Sequence, residues 1–122
     1  MPRDHHSRKD RALNPAFAAA LVLDEVATWP GVSTQTTSRG STVIVFAGRE
    51  LGYLHPHLGT LDLPLSADRR AAVLRAYRAQ EWFSNWVIKP LADVADAQDG
   101  IALLRESYDE LLTAAAGARE PD

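Results

Sequence analysis

Thr42-Val43-Ile44-Val45-Phe46-Ala47-Gly48-Arg49-Glu50-Leu51-Gly52-Tyr53-Leu54-His55-Pro56-His57-Leu58-Gly59-Thr60-Leu61-Asp62-Leu63-Pro64-Leu65 is the stretch that decides the fold of this chain. Thr42–Phe46 is a nearly continuous apolar and β-branched run, the pattern of a central strand. Ala47-Gly48 makes a turn, after which Arg49–His55 alternates. Alternation predicts Leu51, Tyr53 and His55 on one face and Glu50, Gly52 and Leu54 on the other. Pro56-His57-Leu58-Gly59 forms the next turn, and residues 60–65 then set Leu61, Leu63 and Leu65 against Asp62. Upstream, residues 32–39 are rich in Ser and Thr and read as a half-exposed strand that turns at Arg39-Gly40-Ser41. Short connections in succession make an antiparallel meander.

Helices flank this meander. Asn14-Pro15 is a cap followed by a proline at the first helical position, and residues 16–29 carry Ala18, Val22, Val26 and Trp29 near helical spacing. Pro30-Gly31 stops that helix. Ser66 caps a second helix that reaches to about Gln80, with Asp68 in its first turn and Val73, Leu74 and Tyr77 facing inward. Residues 82–89 read as a fifth strand ended by Pro90. The last helix repeats Ile101, Leu104, Tyr108 and Leu111 on one stripe. The expectation is an α+β domain with a mainly antiparallel five-stranded sheet, helices on one face, in the order α-β-β-β-β-α-β-α. Residues 14–116 form that single domain, between a solvated, disordered basic leader at 1–13 and a polar tail at 117–122.

Composition narrows the function classes. The chain has 122 residues, 46% of them hydrophobic and 24% charged, which suits one soluble globular domain. It lacks cysteine, which excludes disulfides, thiolate metal sites and cysteine nucleophiles. Residues 1–11 hold four basic side chains against two acidic ones, and the rest of the chain nine against fourteen. An acidic body argues against broad binding to a phosphate backbone, so nucleic acid enters only as a weaker alternative through the basic leader. The longest apolar run, residues 16–23, is far short of the ~20 residues that span a bilayer, and the leader has no apolar signal core. A cytoplasmic protein without membrane association is expected.

Polar and aromatic residues concentrate in two places. Arg49, Glu50, Tyr53, His55 and Asp62 lie on neighbouring strands, and Trp82, Phe83 and Trp86 follow the second helix. Arg49 and Glu50 read as a strand-end ion pair, and Glu50 facing Asp62 would set two carboxylates close enough to raise one pKa. Trp82 and Phe83 are adjacent, so strand alternation would expose one of them, and Trp86 reads as core. His55, His57 and Asp62 are a candidate metal set, but Pro56 begins a turn between the histidines, so no metal site is expected. The chain has no phosphate-binding glycine loop, GxSxG elbow or HExxH motif, and no cofactor is expected.

The ordered set Trp29-Pro30-Gly31-Val32, Gly48-Arg49-Glu50-Leu51-Gly52, His55, Leu61-Asp62-Leu63-Pro64, Asn85-Trp86-Val87 and Leu103-Leu104-Arg105-Glu106-Ser107-Tyr108 resembles a small bacterial family of luciferase-domain proteins. The resemblance covers roughly residues 20–112. That family shows His at the position of Tyr53, Gly at that of Asn85 and a further His near Glu81, so two of its three histidines are missing here. The resemblance implies no flavin chemistry, because flavin-dependent bacterial luciferase is a (β/α)₈ barrel of ~250 residues or more and shares only the name. A weaker resemblance, in residues 85–108, is to small α+β proteins labelled DNA-binding.

Together these readings place a cleft between residues 49–62 and 82–86, with Arg49, Glu50, Tyr53, His55, Asp62, Trp82 and Trp86 as its ligand-binding residues. A small molecule or a protein partner, including a second copy of the chain, is the expected occupant. The alternative is a small enzyme with Asp62 or His55 as general base and Arg49 steadying an anionic substrate.

Overall fold

The computed structural model describes residues 15–119. The leader and the Asn14 cap, like the end of the tail, lie outside them. Helix α1 (Pro15–Val26) leads into strands β1 (Val32–Thr36), β2 (Thr42–Phe46), β3 (Arg49–His55) and β4 (Thr60–Pro64). Helix α2 (Ala67–Ala76), strands β5 (Gln80–Glu81) and β6 (Trp86–Pro90), and helix α3 (Val94–Arg119) follow. The six strands form one antiparallel sheet in the order β1-β2-β3-β4-β6-β5. The fold is therefore α+β, with six strands rather than five and the order α-β-β-β-β-α-β-β-α.

The extra strand corrects the reading of residues 82–89. Gln80 and Glu81 pair with Ile88 and Val87, and residues 82–85 are a turn. The Trp82 amide donates to the Trp86 carbonyl, and Ser84 takes a left-handed φ of 61°. A two-residue strand has no periodicity to detect. Helix α2 is shorter than expected for a related reason: Tyr77 turns to extended backbone and caps it, so the chain can re-enter the sheet at Gln80. Helix α3 starts at Val94 and runs through Gly117, past the expected end of the domain. Among the described residues no helix is long and apolar enough to cross a membrane.

Alternation puts Ile44, Gly52, Leu54, Leu61, Leu63 and Val87 on the helix-covered face, where all but Gly52 join one buried cluster with Val22, Leu103 and Leu104. The fit is tight at Gly52, where a Cβ would lie 3.1 Å from Leu104 Cδ2 and 3.1 Å from the Asp62 carbonyl oxygen. Glycine lets α3 close directly onto β3. At one corner Tyr108 stacks against Trp29 and Phe46, and its hydroxyl donates to the Pro30 carbonyl at 2.7 Å.

Strand β3 departs from simple alternation. Ile44 pairs with Gly52 but Val45 pairs with Glu50, so Leu51 is the extra residue of a β-bulge. The bulge turns Leu51 into the core, where it is 1% exposed, instead of placing it beside Tyr53 and His55. Tyr53 and His55 remain on the open face, and the Tyr53 hydroxyl reaches back to Glu50 Oε2 at 2.9 Å.

Candidate functional site in the groove of the open sheet face

The meander register builds the site. Tyr53 pairs with Asp62 across β3 and β4, and Asp62 pairs in turn with Ile88 of β6. His55 lies one strand repeat beyond Tyr53, on the same face, so its ring reaches diagonally to Asp62. The β5–β6 turn then brings Trp82 and Phe83 over this row from the far side. Tyr53, His55, Asp62, Trp82, Phe83 and Trp86 line one groove of about 250 Å³.

Both imidazole nitrogens of His55 are engaged. Nε2 lies 3.0 Å from Asp62 Oδ2, and Nδ1 lies 2.6 Å from Ser41 Oγ. A carboxylate can only accept, so Nε2–H donates to Asp62; in the neutral imidazole Nδ1 then accepts from the Ser41 hydroxyl. The result is a hydrogen-bonded line, Ser41 to His55 to Asp62, that holds the carboxylate in one orientation. Its composition is that of a nucleophilic triad, but its polarity toward the groove is reversed. Ser41 is only 8% exposed and does not line the groove, whereas Asp62 does. Among the described residues Asp62 Oδ1 has no protein hydrogen-bond partner. The carboxylate end of the line belongs to the groove wall, and the hydroxyl end is buried outside it.

The aromatic walls have defined contacts. Tyr53 meets Trp86 edge-on at 5.8 Å and stacks loosely on His55 at 6.4 Å, while Trp82 and Phe83 meet edge-on at 5.5 Å. The hydrogen bond to Glu50, with burial and the Glu50 charge adding to it, raises the Tyr53 phenol above its ordinary 10.0. Trp82 and Phe83 are 52% and 68% exposed, so neither is spent on the core. Both are exposed because both belong to a turn; the strand argument that would have buried one of them does not apply. Trp86 is half-buried at the groove wall rather than in the core.

Of the seven residues singled out in the sequence, five (Tyr53, His55, Asp62, Trp82 and Trp86) come together here. Arg49 and Glu50 instead line a separate cavity of about 450 Å³, with Arg69, Asn85 and Ser107 among its other walls. They form no ion pair with each other among the described residues, and the Glu50 and Asp62 carboxylates have different partners, Tyr53 and His55. Arg49 does not line the groove that holds Asp62. Arg69 donates to Ser107 Oγ at 2.7 Å, to the Leu103 carbonyl at 3.2 Å and to Glu106 at 3.1 Å, so it braces α2 against α3.

His57 is exposed in the turn after β3, and no group of three or more His, Cys, Asp or Glu side chains among the described residues is placed to hold a metal ion. Ser41 is the residue that sequence reasoning missed. Its signal was the register: continuing the Thr42–Leu54 pairing by one residue sets Ser41 opposite His55.

No family model, curated protein or solved structure matches this chain.

Proposed function

We propose that the open sheet face binds a small ligand in the groove between β3–β4 and the β5–β6 turn. The observation that carries this reading is the pairing of exposed aromatics with an oriented carboxylate whose second oxygen has no protein partner. Binding sites commonly combine apolar walls with a few convergent polar groups. The turn supports the same reading: a non-glycine residue in the left-handed region costs of order 1 kcal/mol, and here it holds two aromatic side chains out of the core. The resemblance to luciferase-domain proteins adds no reaction, so the reading rests on the groove.

A thermal-shift screen of small molecules tests it. A ligand at 100 times its Kd stabilises a protein by ~2.7 kcal/mol, which raises the Tm of a domain this size by several degrees. A shift that disappears in both Trp82→Ala and Trp86→Ala is expected. A broad panel without any such shift would overturn the ligand reading. In that case the exposure of Phe83 favours a protein partner, and sedimentation of the protein alone would show whether that partner is a second copy.

A further inference from the structure

Resting on the groove being a ligand site, we propose that its ligand is an organic cation, an ammonium or quaternary ammonium head group held among Tyr53, Trp82, Phe83 and Trp86 above the Asp62 carboxylate. The charge census of the groove carries the argument. Asp62 is the one carboxylate among the lining residues, and no Lys or Arg lines the groove. Its Oδ2 is held by His55, and Oδ1 is left without a protein donor among the described residues. His55 cannot supply a second donor, because its other nitrogen is taken by Ser41. A neutral apolar ligand would strip water from that oxygen and return nothing. An anion would meet the carboxylate directly and the negative faces of the aromatic rings. A cation answers both the carboxylate and the rings at once.

The surroundings point the same way. Tyr53 donates its hydroxyl to Glu50, which places a second carboxylate beside the ring and enriches that face. The cavity beside Arg49 does not compete for the role: two guanidinium groups, Arg49 and Arg69, line it, and Arg69 is committed to α3. Size restricts the class further. About 250 Å³ is below the roughly 300–1,000 Å³ of pockets that enclose whole drug-sized ligands, so the groove takes a head group rather than an extended molecule.

The experiment titrates the full chain with choline, tetramethylammonium and butylammonium. It compares choline with 3,3-dimethylbutan-1-ol, in which a neutral tert-butyl group replaces the trimethylammonium. Binding is read from tryptophan fluorescence and from the indole NMR signals. Trp29 serves as the internal control for folding, since it is buried and donates to Glu25 at 3.1 Å. Saturable binding that moves the Trp82 and Trp86 signals but not that of Trp29 is expected, with choline preferred over its neutral analogue by about tenfold. Asp62→Asn, which keeps a hydrogen-bond acceptor for His55, should abolish that preference, and Trp82→Ala should weaken choline binding.

Equal binding of choline and the neutral alcohol would overturn the cation proposal while leaving the ligand groove standing. Cation binding insensitive to both variants would place the cation elsewhere and overturn it too. If no cation binds but neutral molecules shift the Trp82 signal, only the charge assignment fails. If nothing in either class binds, the groove reading fails with it.

Discussion

Lys89 is 0% exposed, in a fold where every other described basic side chain reaches the surface to some degree. Its ammonium donates to Asp96 Oδ1 at 2.9 Å and to the Pro90 carbonyl at 3.1 Å. The other Asp96 oxygen accepts from Arg78 at 2.6 Å and from the Ala92 amide at 2.8 Å. Such a pair is tolerated only because nearly all its hydrogen-bonding capacity is met. Replacing Lys89 with alanine would leave the carboxylate desolvated beside a cavity and should cost about 3 kcal/mol, measured by denaturant unfolding. Half of this arrangement could be read in the sequence: alternation with Val87 turns Lys89 inward. The other half could not, because no spacing rule links a strand lysine to a carboxylate beyond the next turn.

At the level of elements, what was legible followed local chemistry. The meander showed itself through its turns and its apolar alternation, and these bring Tyr53, His55 and Asp62 together. Ala47-Gly48 forms a turn with both φ angles positive, at 55° and 75°, a geometry that suits the twist of a tight hairpin. The bulge at Leu51 and the two-residue β5 were not legible, because each is set by pairing with a neighbour rather than by its own pattern. Trp82 and Phe83 were recognised as an aromatic cluster, but their exposure depended on the turn that β5 creates. Helix α3 owes its start to Asp93, whose Oδ1 accepts from the Asp96 amide at 2.9 Å while its carbonyl accepts from Ala97 at 3.0 Å. Asp93→Ala should destabilise the protein by about 1 kcal/mol and speed hydrogen exchange in the first turn of α3.

Across the whole molecule, the two faces of the sheet divide the work. One is covered by helices and supplies the core; the other carries the groove. The anchor between β6 and α3 makes that division sensitive to acid. Burial is the largest single influence on Asp96 and acts to raise its pKa. The Ala92 amide, the hydrogen bond and charge of Lys89, and the charge of Arg78 outweigh it, so the carboxyl lies below its ordinary 3.8. A folded pKa below the unfolded one means the stabilisation is complete above pH 3.8 and is lost as pH falls through the folded value. Unfolding midpoints measured down through this window should decline, and Asp96→Asn should flatten the decline while lowering stability at neutral pH.

The seclusion of Lys89 also fits the protein with its own clock. The chain has two lysines, Lys9 and Lys89, and the second is the one that lies among the described residues. An amine-acylating reagent can reach its nitrogen only when α3 lifts from β6. The pace at which Lys89 is tagged in native buffer therefore measures how often the fold opens.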